Sequence, residues 1–199
     1  MNCRAIGFAV AAVLLTVGCG SGPVAVPEVT SSPGRTAGAD YNDTDLMFLR
    51  MMIAREQEAS QLTQPARSRR LPAEVSTLVA AIRSTQADES RIMKSWLRDW
   101  KRPVQMDQSA GAHAHHGGLE QLSPADLADL DQAAAEEYPT RFLNLLIAQQ
   151  HIAVELARME TGSGIHPEAR DLARRVDQSR TAQISAMLAM VANGLNSPV

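Results

Sequence analysis

The sequence predicts an all-α protein, a four-helix bundle assembled from two similar helical hairpins, and three observations carry that expectation. Phe142 to Leu156 repeats an earlier stretch, Phe48 to Leu62, with Phe48 matching Phe142, Ile53 matching Ile147, Ala59 matching Ala153 and Leu62 matching Leu156, always 94 residues apart. The register continues without a gap through Leu78 and Leu172, Ile82 and Val176, and Met93 and Met187, so the repeated unit is a hairpin rather than one helix. Within each unit the apolar residues recur at helical spacing, as Leu46, Leu49, Met52 and Ile53 do. The composition agrees: 45% of residues are hydrophobic but only 4% aromatic, and there are nine methionines. Ala, Leu, Ile, Val and Met must then fill the core, which suits helix-on-helix packing better than a β-sandwich.

The chain begins as an export signal. Arg4 supplies a positive start and Ala5 to Val17 is an unbroken apolar or small run, shorter than the roughly 20 residues that a membrane-spanning helix needs. It closes on Leu15-Thr16-Val17-Gly18-Cys19, which resembles the lipobox of bacterial lipoproteins, with Thr16 standing where that pattern prefers Leu, Val or Ile. Residues 1–18 are therefore expected to be a signal peptide and Cys19 the lipidated first residue of the mature chain; cleavage nearby by an ordinary signal peptidase is the simpler alternative. Cys3 lies in the leader and Cys19 is the only other cysteine. The mature form then has no intrachain disulfide, and a lone exported thiol makes most sense as a lipid attachment point. Several acyl chains, at about 0.8 kcal/mol per buried CH₂, anchor a protein stably. Residues 19–39 are rich in Gly, Ser, Pro, Thr and Val, and read as a flexible lipidated tether.

The folded part is expected over residues 40–194, with repeats at about 43–102 and 137–194 and a linker at 103–122. Asn42 or Asp43 caps the first helix, which runs to about Gln64 before Pro65. After a basic turn containing Arg67, Arg69 and Arg70, Pro72 and Glu74 open a second helix. Its apolar face is Val75, Leu78, Val79, Ile82, Met93, Trp96 and Leu97, and Pro103 stops it. The segment 105–121 has no period and contains Gly-Ala-His-Ala-His-His-Gly-Gly, as a loop would. Ser123, Pro124 and Asp126 carry the signature of a capped helix start. The third helix follows, with a break expected at Pro139, and ends near Gly162 to Gly164. Pro167 and Glu168 open the fourth, whose expected apolar face is Leu172, Val176, Ile184, Met187, Leu188 and Val191, with Gly194 just past its end.

These residues resemble the domain of unknown function 305 family. The resemblance rests on Phe48-Leu-x-x-Met-Ile and Phe142-Leu-x-x-Leu-Ile, on second helices ending in Met-x-x-Trp-Leu or Met-Leu, and on a His- and Gly-containing linker followed by Leu-Ser-Pro-Ala-Asp-Leu. It covers about residues 40–192. It implies a ferritin-like fold, export, and for several relatives the binding of copper or other metals, with no settled enzymatic activity. The resemblance also implies a His-His pair two residues after each Ile. Here Arg55-Glu56 and Gln149-Gln150 stand in those places, without an imidazole. In the second helices Gln86, Glu89 and Met93 keep the family's pattern, whereas Arg180, Gln183 and Met187 keep it in part. An arginine cannot ligate a cation. The family's metal site is accordingly expected to be lost or rebuilt; whether Arg55-Glu56 and Gln149-Gln150 meet in the bundle core stays open, and a buried Arg55 with Glu56 would be a structural polar network in the metal's place.

Metal capture then falls to His113, His115 and His116 with Met106 nearby, since imidazole and thioether suit copper, or zinc through the nitrogens. A His-rich loop that binds nothing is the bland alternative. His151 is displaced by one position from the family's pair, which turns it by about 100° around the helix, so it is expected to be an ordinary helical histidine. His166 belongs to the turn before Pro167. Met47, Met51, Met52, Met159, Met187 and Met190 read as core filler. Trp96 and Trp100 are either a partner surface or a cap on the bundle end. Glu56, Glu58 and Glu155 lack the spacing of di-iron bundles. No nucleophile elbow or phosphate loop appears, so no enzyme is expected.

The net charge of −3, without a basic block, argues against nucleic acid as a partner. The functional expectation is an exported, lipid-anchored, non-catalytic envelope protein facing outside the cytoplasm, with copper as the candidate metal. The alternative is a metal-free relative serving as a protein interaction module. The partner and any homo-oligomer stay open.

Overall fold

Helix starts are where this sequence is most explicit, and the computed structural model, which describes residues 40–105 and 122–195, follows them closely. α1 spans Asp43–Thr63 behind an Asn42 cap: the Asn42 side chain accepts from the Asp45 amide at 3.0 Å, and the Asp45 carboxylate accepts from the Asn42 amide at 2.6 Å. This reciprocal box satisfies two amides that a helix start otherwise leaves orphaned. A short 3₁₀ turn over Pro65–Ser68 leads to α2, Ala73–Asp99. After residues 106–121 comes α3, Pro124–Asp131, capped by Ser123 and Asp126 in the same box. α4 spans Tyr138–Ser163 and α5 spans Pro167–Ala192. Gly194 follows α5 with φ 73°, and the Leu195 amide returns to the Met190 carbonyl at 3.2 Å, a left-handed helix stop that favours glycine.

Two expectations need correction. The break expected in the third helix at Pro139 falls earlier: a turn over residues 132–137 separates the short α3 from α4, so the described residues hold five α-helices, the four long ones forming the bundle. The break falls ahead of Pro139 because proline is tolerated in the first turn, where its missing N–H is not needed, and it sits just inside α4. Leu188, assigned to the apolar face of the last helix, is 50% exposed. The buried stripe of α5 runs through Ala169, Leu172, Ala173, Val176, Ile184 and Met187, and Leu188 turns away from it.

The four long helices form a ring. α1 packs against α2 and against α4, α4 packs against α5, and α5 closes the ring on α2. None of the described helices is long and apolar enough to cross a membrane. The apolar interior is split into two clusters at opposite ends. One gathers Phe48, Leu49, Met52 and Ile53 with Met93, Leu97, Leu156 and Leu172. The other gathers Leu62, Val75, Val79 and Ile82 with Phe142, Leu146, Ile184 and Met187. Met51, Met159 and Met190 pack on these clusters. Trp100 stacks on Tyr41 with ring centroids 4.1 Å apart, and both Trp96 and Trp100 meet the His166 ring edge-on, so the tryptophans close one end of the bundle.

Candidate functional site: a polar belt across the bundle

Between the two apolar clusters each long helix contributes polar side chains that are buried or nearly so. They are Arg55 and Glu56 on α1, Gln86 and Glu89 on α2, Gln149 and Gln150 on α4, and Arg180 and Gln183 on α5. They are equivalent by repeat: Arg55 with Gln149, Glu56 with Gln150, Gln86 with Arg180, and Glu89 with Gln183. The helical period that packs Ile53 and Met93 inward carries these neighbours inward too.

Arg180 is the centre of the belt. It is wholly buried, and its guanidinium is ion-paired and hydrogen-bonded to the Glu89 carboxylate across the two repeats. Gln150 donates to the Gln183 side-chain oxygen at 2.9 Å, tying α4 to α5 at the same level. Glu56, 6% exposed, faces Glu89 and Arg180. Burial and the neighbouring Glu89 push its carboxyl up to about 8, against the pull of Arg180, so it is largely protonated at neutral pH. Burial also raises Glu89, although Arg180 pulls the other way. Arg55 and Glu56 are both buried but do not pair with each other. Arg55 lies 2.9 Å from Glu58 one turn along the same helix, and Glu56 points instead to Glu89 and Arg180. Helical geometry explains this, since residues three apart share a face and adjacent ones do not.

A second buried carboxyl pair holds the tryptophan end. Burial works against ionisation of Asp45, but hydrogen bonds from Glu160 and from the Asn42, His166 and Ile165 amides outweigh it and hold Asp45 below the usual range. The His166 amide donates to Asp45 at 2.9 Å, which fastens the α4–α5 turn to the start of α1. Glu160, with no exposure, is pushed up to about 8 by burial and by Asp45, and so carries the proton the pair shares. Gly164 lies against it, where a Cβ would collide with the Glu160 carboxyl. His166 caps α5 through Nδ1, which accepts from the Ala169 amide at 3.2 Å.

Of the residues singled out in the sequence, the belt brings together Glu56, Gln149 and Gln150, with Arg55 at its edge. His151 is exposed on α4. Cys19, Met106, His113, His115 and His116 lie outside the described residues. Arg180 and Glu89 as an ion pair, and Asp45 with Glu160, were missed. The first had a signal: at equivalent positions one repeat carries Gln86 and Glu89 and the other Arg180 and Gln183, opposite charges placed to meet across the bundle axis.

Two hairpins closed into a ring, with titratable side chains at its waist, define a duplicated helical bundle with a polar belt. The family model described as Domain of unknown function (DUF305) matches residues 45–191, and the chain belongs to that family. Among solved structures, a DUF305 protein of Streptomyces coelicolor described as a putative secreted protein shares 23% identity at a TM-score of 0.70, covering 78% of this chain and 95% of that one. A DUF305 fragment from Deinococcus radiodurans shares 23% at a TM-score of 0.67, covering 76% and 97%. CopM in its Cu(I)-bound form shares 25% at a TM-score of 0.61, covering 75% of this chain and 96% of CopM. No curated protein of similar sequence is found.

The belt does not fit a copper ion. Its centre is a guanidinium already ion-paired with a carboxylate, and side-chain amides are weak copper donors beside imidazole or thioether. Among the described residues no three His, Cys, Asp or Glu side chains converge as a metal-holding group.

Proposed function

We propose that this protein is an exported, lipid-anchored, non-catalytic member of the DUF305 family whose bundle stands without metal, and that copper is captured outside the bundle by His113, His115 and His116 with Met106. One observation carries the reading: the buried Arg180–Glu89 pair occupies the waist of the bundle with a positive charge that repels a cation. Similarity to CopM, which has copper-bound forms, supports copper as the metal. The leader and Cys19 support export and anchoring. The membrane is then the partner of the lipid, and the tether holds the bundle off its surface.

The same ion pair favours a second reading, a metal-free relative acting as a protein interaction module. Competitive titration with Cu(I) under anaerobic conditions separates the two, run on the full chain beside His113→Ala/His115→Ala/His116→Ala. One-to-one binding that is lost in the triple variant while the thermal midpoint stays unchanged establishes copper handling by the loop. Binding no tighter than that of the isolated 105–121 peptide selects the metal-free module. Binding retained by the triple variant refutes the location.

A further inference from the structure

The two hairpins share a plan, yet only one is packed shut. α4 and α5 press together along their length, whereas α1 and α2 part to leave a cleft of about 780 Å³. The difference traces to single repeat-equivalent residues. Val154 and Ile184, both buried, fill the space between α4 and α5, and at the equivalent positions α1 and α2 carry Ser60 and Ser90, which line the cleft. Serine is too small to bridge two helices, so the gap follows from the sequence.

The cleft's charge is as distinctive as its shape. Arg67, Arg83 and Lys94 line it, and none has an acidic partner among the described residues; Arg91, also on the wall, is paired with Asp88. Arg67 and Arg83 border the same adjoining smaller cavity, which places them together at one end. Glu56 lies on the inner wall, its carboxyl oxygens turned away from solvent toward Ser90 and Glu89.

We propose that the α1–α2 cleft is a binding site for a small organic oxyanion, whose charged end is held by Arg67 and Arg83 and whose polar body lies along Ser60, Ser84 and Ser90. Two guanidiniums at one end of a partly enclosed site match a carboxylate or phosphate through charge-assisted hydrogen bonds. Glu56, whose ionisation burial opposes, adds little negative charge to the inner wall, so the cations set the sign of the cleft. Ala80 and Ala87 on the α2 wall leave room for the ligand's carbon skeleton. The corresponding face of the second hairpin has no such site, because Asp177 stands where Arg83 does and Val154 and Ile184 close the gap.

The test is a titration of the full chain with citrate and with inorganic phosphate at constant ionic strength, followed by amide chemical shifts, with glycerol as the uncharged control. Saturable shifts confined to α1, the 3₁₀ turn and α2 are expected for at least one anion and not for glycerol. Arg67→Gln/Arg83→Gln should weaken binding about tenfold or more, the scale of one or two lost charge-assisted hydrogen bonds. Ser60→Val/Ser90→Ile fills the cleft as the second hairpin fills its own and leaves every cation in place, so it should abolish binding while circular dichroism stays helical. Non-saturating shifts scattered over the surface, or binding that survives both double variants, would overturn the assignment. Copper enters none of these measurements, so the outcome is independent of the loop's role.

Discussion

Arg180→Met is the substitution that most directly probes the belt. Methionine keeps most of the aliphatic volume, so the loss is chiefly that of a wholly buried cation. Glu89, 7% exposed, is left beside the Glu56 carboxyl without its ion-pair partner, and Arg175 acts on it more weakly than Arg180 does. Breaking a buried ion pair from one side costs about 3–5 kcal/mol, because the surviving charge keeps its desolvation penalty and loses its attraction. That is a large share of the roughly 5–15 kcal/mol by which a domain is stable. Replacing both partners, Arg180→Met/Glu89→Leu, removes both charges and should return stability to within about 1 kcal/mol of the parent. The single variant also carries a pH signature. Without Arg180 the Glu89 carboxyl rises further, so the folded form takes up a proton that the unfolded chain does not, and the penalty grows as pH increases. Urea unfolding followed by circular dichroism at pH 5 and pH 8 measures all three quantities, with an unchanged denaturant slope showing that the native state stays compact. A single variant costing less than about 1 kcal/mol at pH 8, or a double variant as unstable as the single, would refute the assignment of the belt as a structural ion pair.

Two further outcomes follow from the same chemistry. Glu56 and Glu160, both raised from 4.5 to about 8 in the fold, hold protons that the unfolded chain has released, so stability is greatest below pH 4.5 as far as these groups are concerned and falls as pH rises through 4.5 to 8. The parent should therefore lose on the order of a few kcal/mol across that window. Glu56→Gln and Glu160→Gln should each flatten the urea-midpoint profile, and an unchanged profile in both would contradict the shared-proton description. Arg55→Met should cost no more than about 1 kcal/mol by thermal unfolding, because its partner Glu58 keeps 20% of its side-chain surface in water and solvation replaces the pair. A loss as large as that of Arg180→Met would place Arg55 at the centre of the belt instead.

The anion cleft and the belt share Glu56, and that overlap ties binding to stability. Glu56 lines the inner wall of the one and turns its carboxyl to Glu89 and Arg180 in the other, so a ligand that stabilises the α1–α2 walls stabilises the fold by mass action.

The sequence by itself determined the duplication, the positions where the long helices begin and stop, and most of the core. These are local or periodic properties. Asn42 with Asp45 and Ser123 with Asp126 need only their own backbone to form capping boxes, Pro124 and Pro167 are pre-set for a first turn, and a 94-residue repeat places apolar faces twice over. Resemblance to the family marked Arg55-Glu56 and Gln149-Gln150 as the positions to examine, but left open whether they meet in the core. The tertiary structure alone decided which of these meet. Arg180 pairs with Glu89 from 91 residues away, Asp45 shares a proton with Glu160, and the α1–α2 cleft opens where Ser60 and Ser90 replace larger residues. Leu188 was misplaced for the same reason: an apolar residue on a helix is buried only if another helix covers it. Periodicity fixes which residues share a face, but pairing between faces depends on the order and rotation of helices around the ring, and only the packing of whole helices sets that.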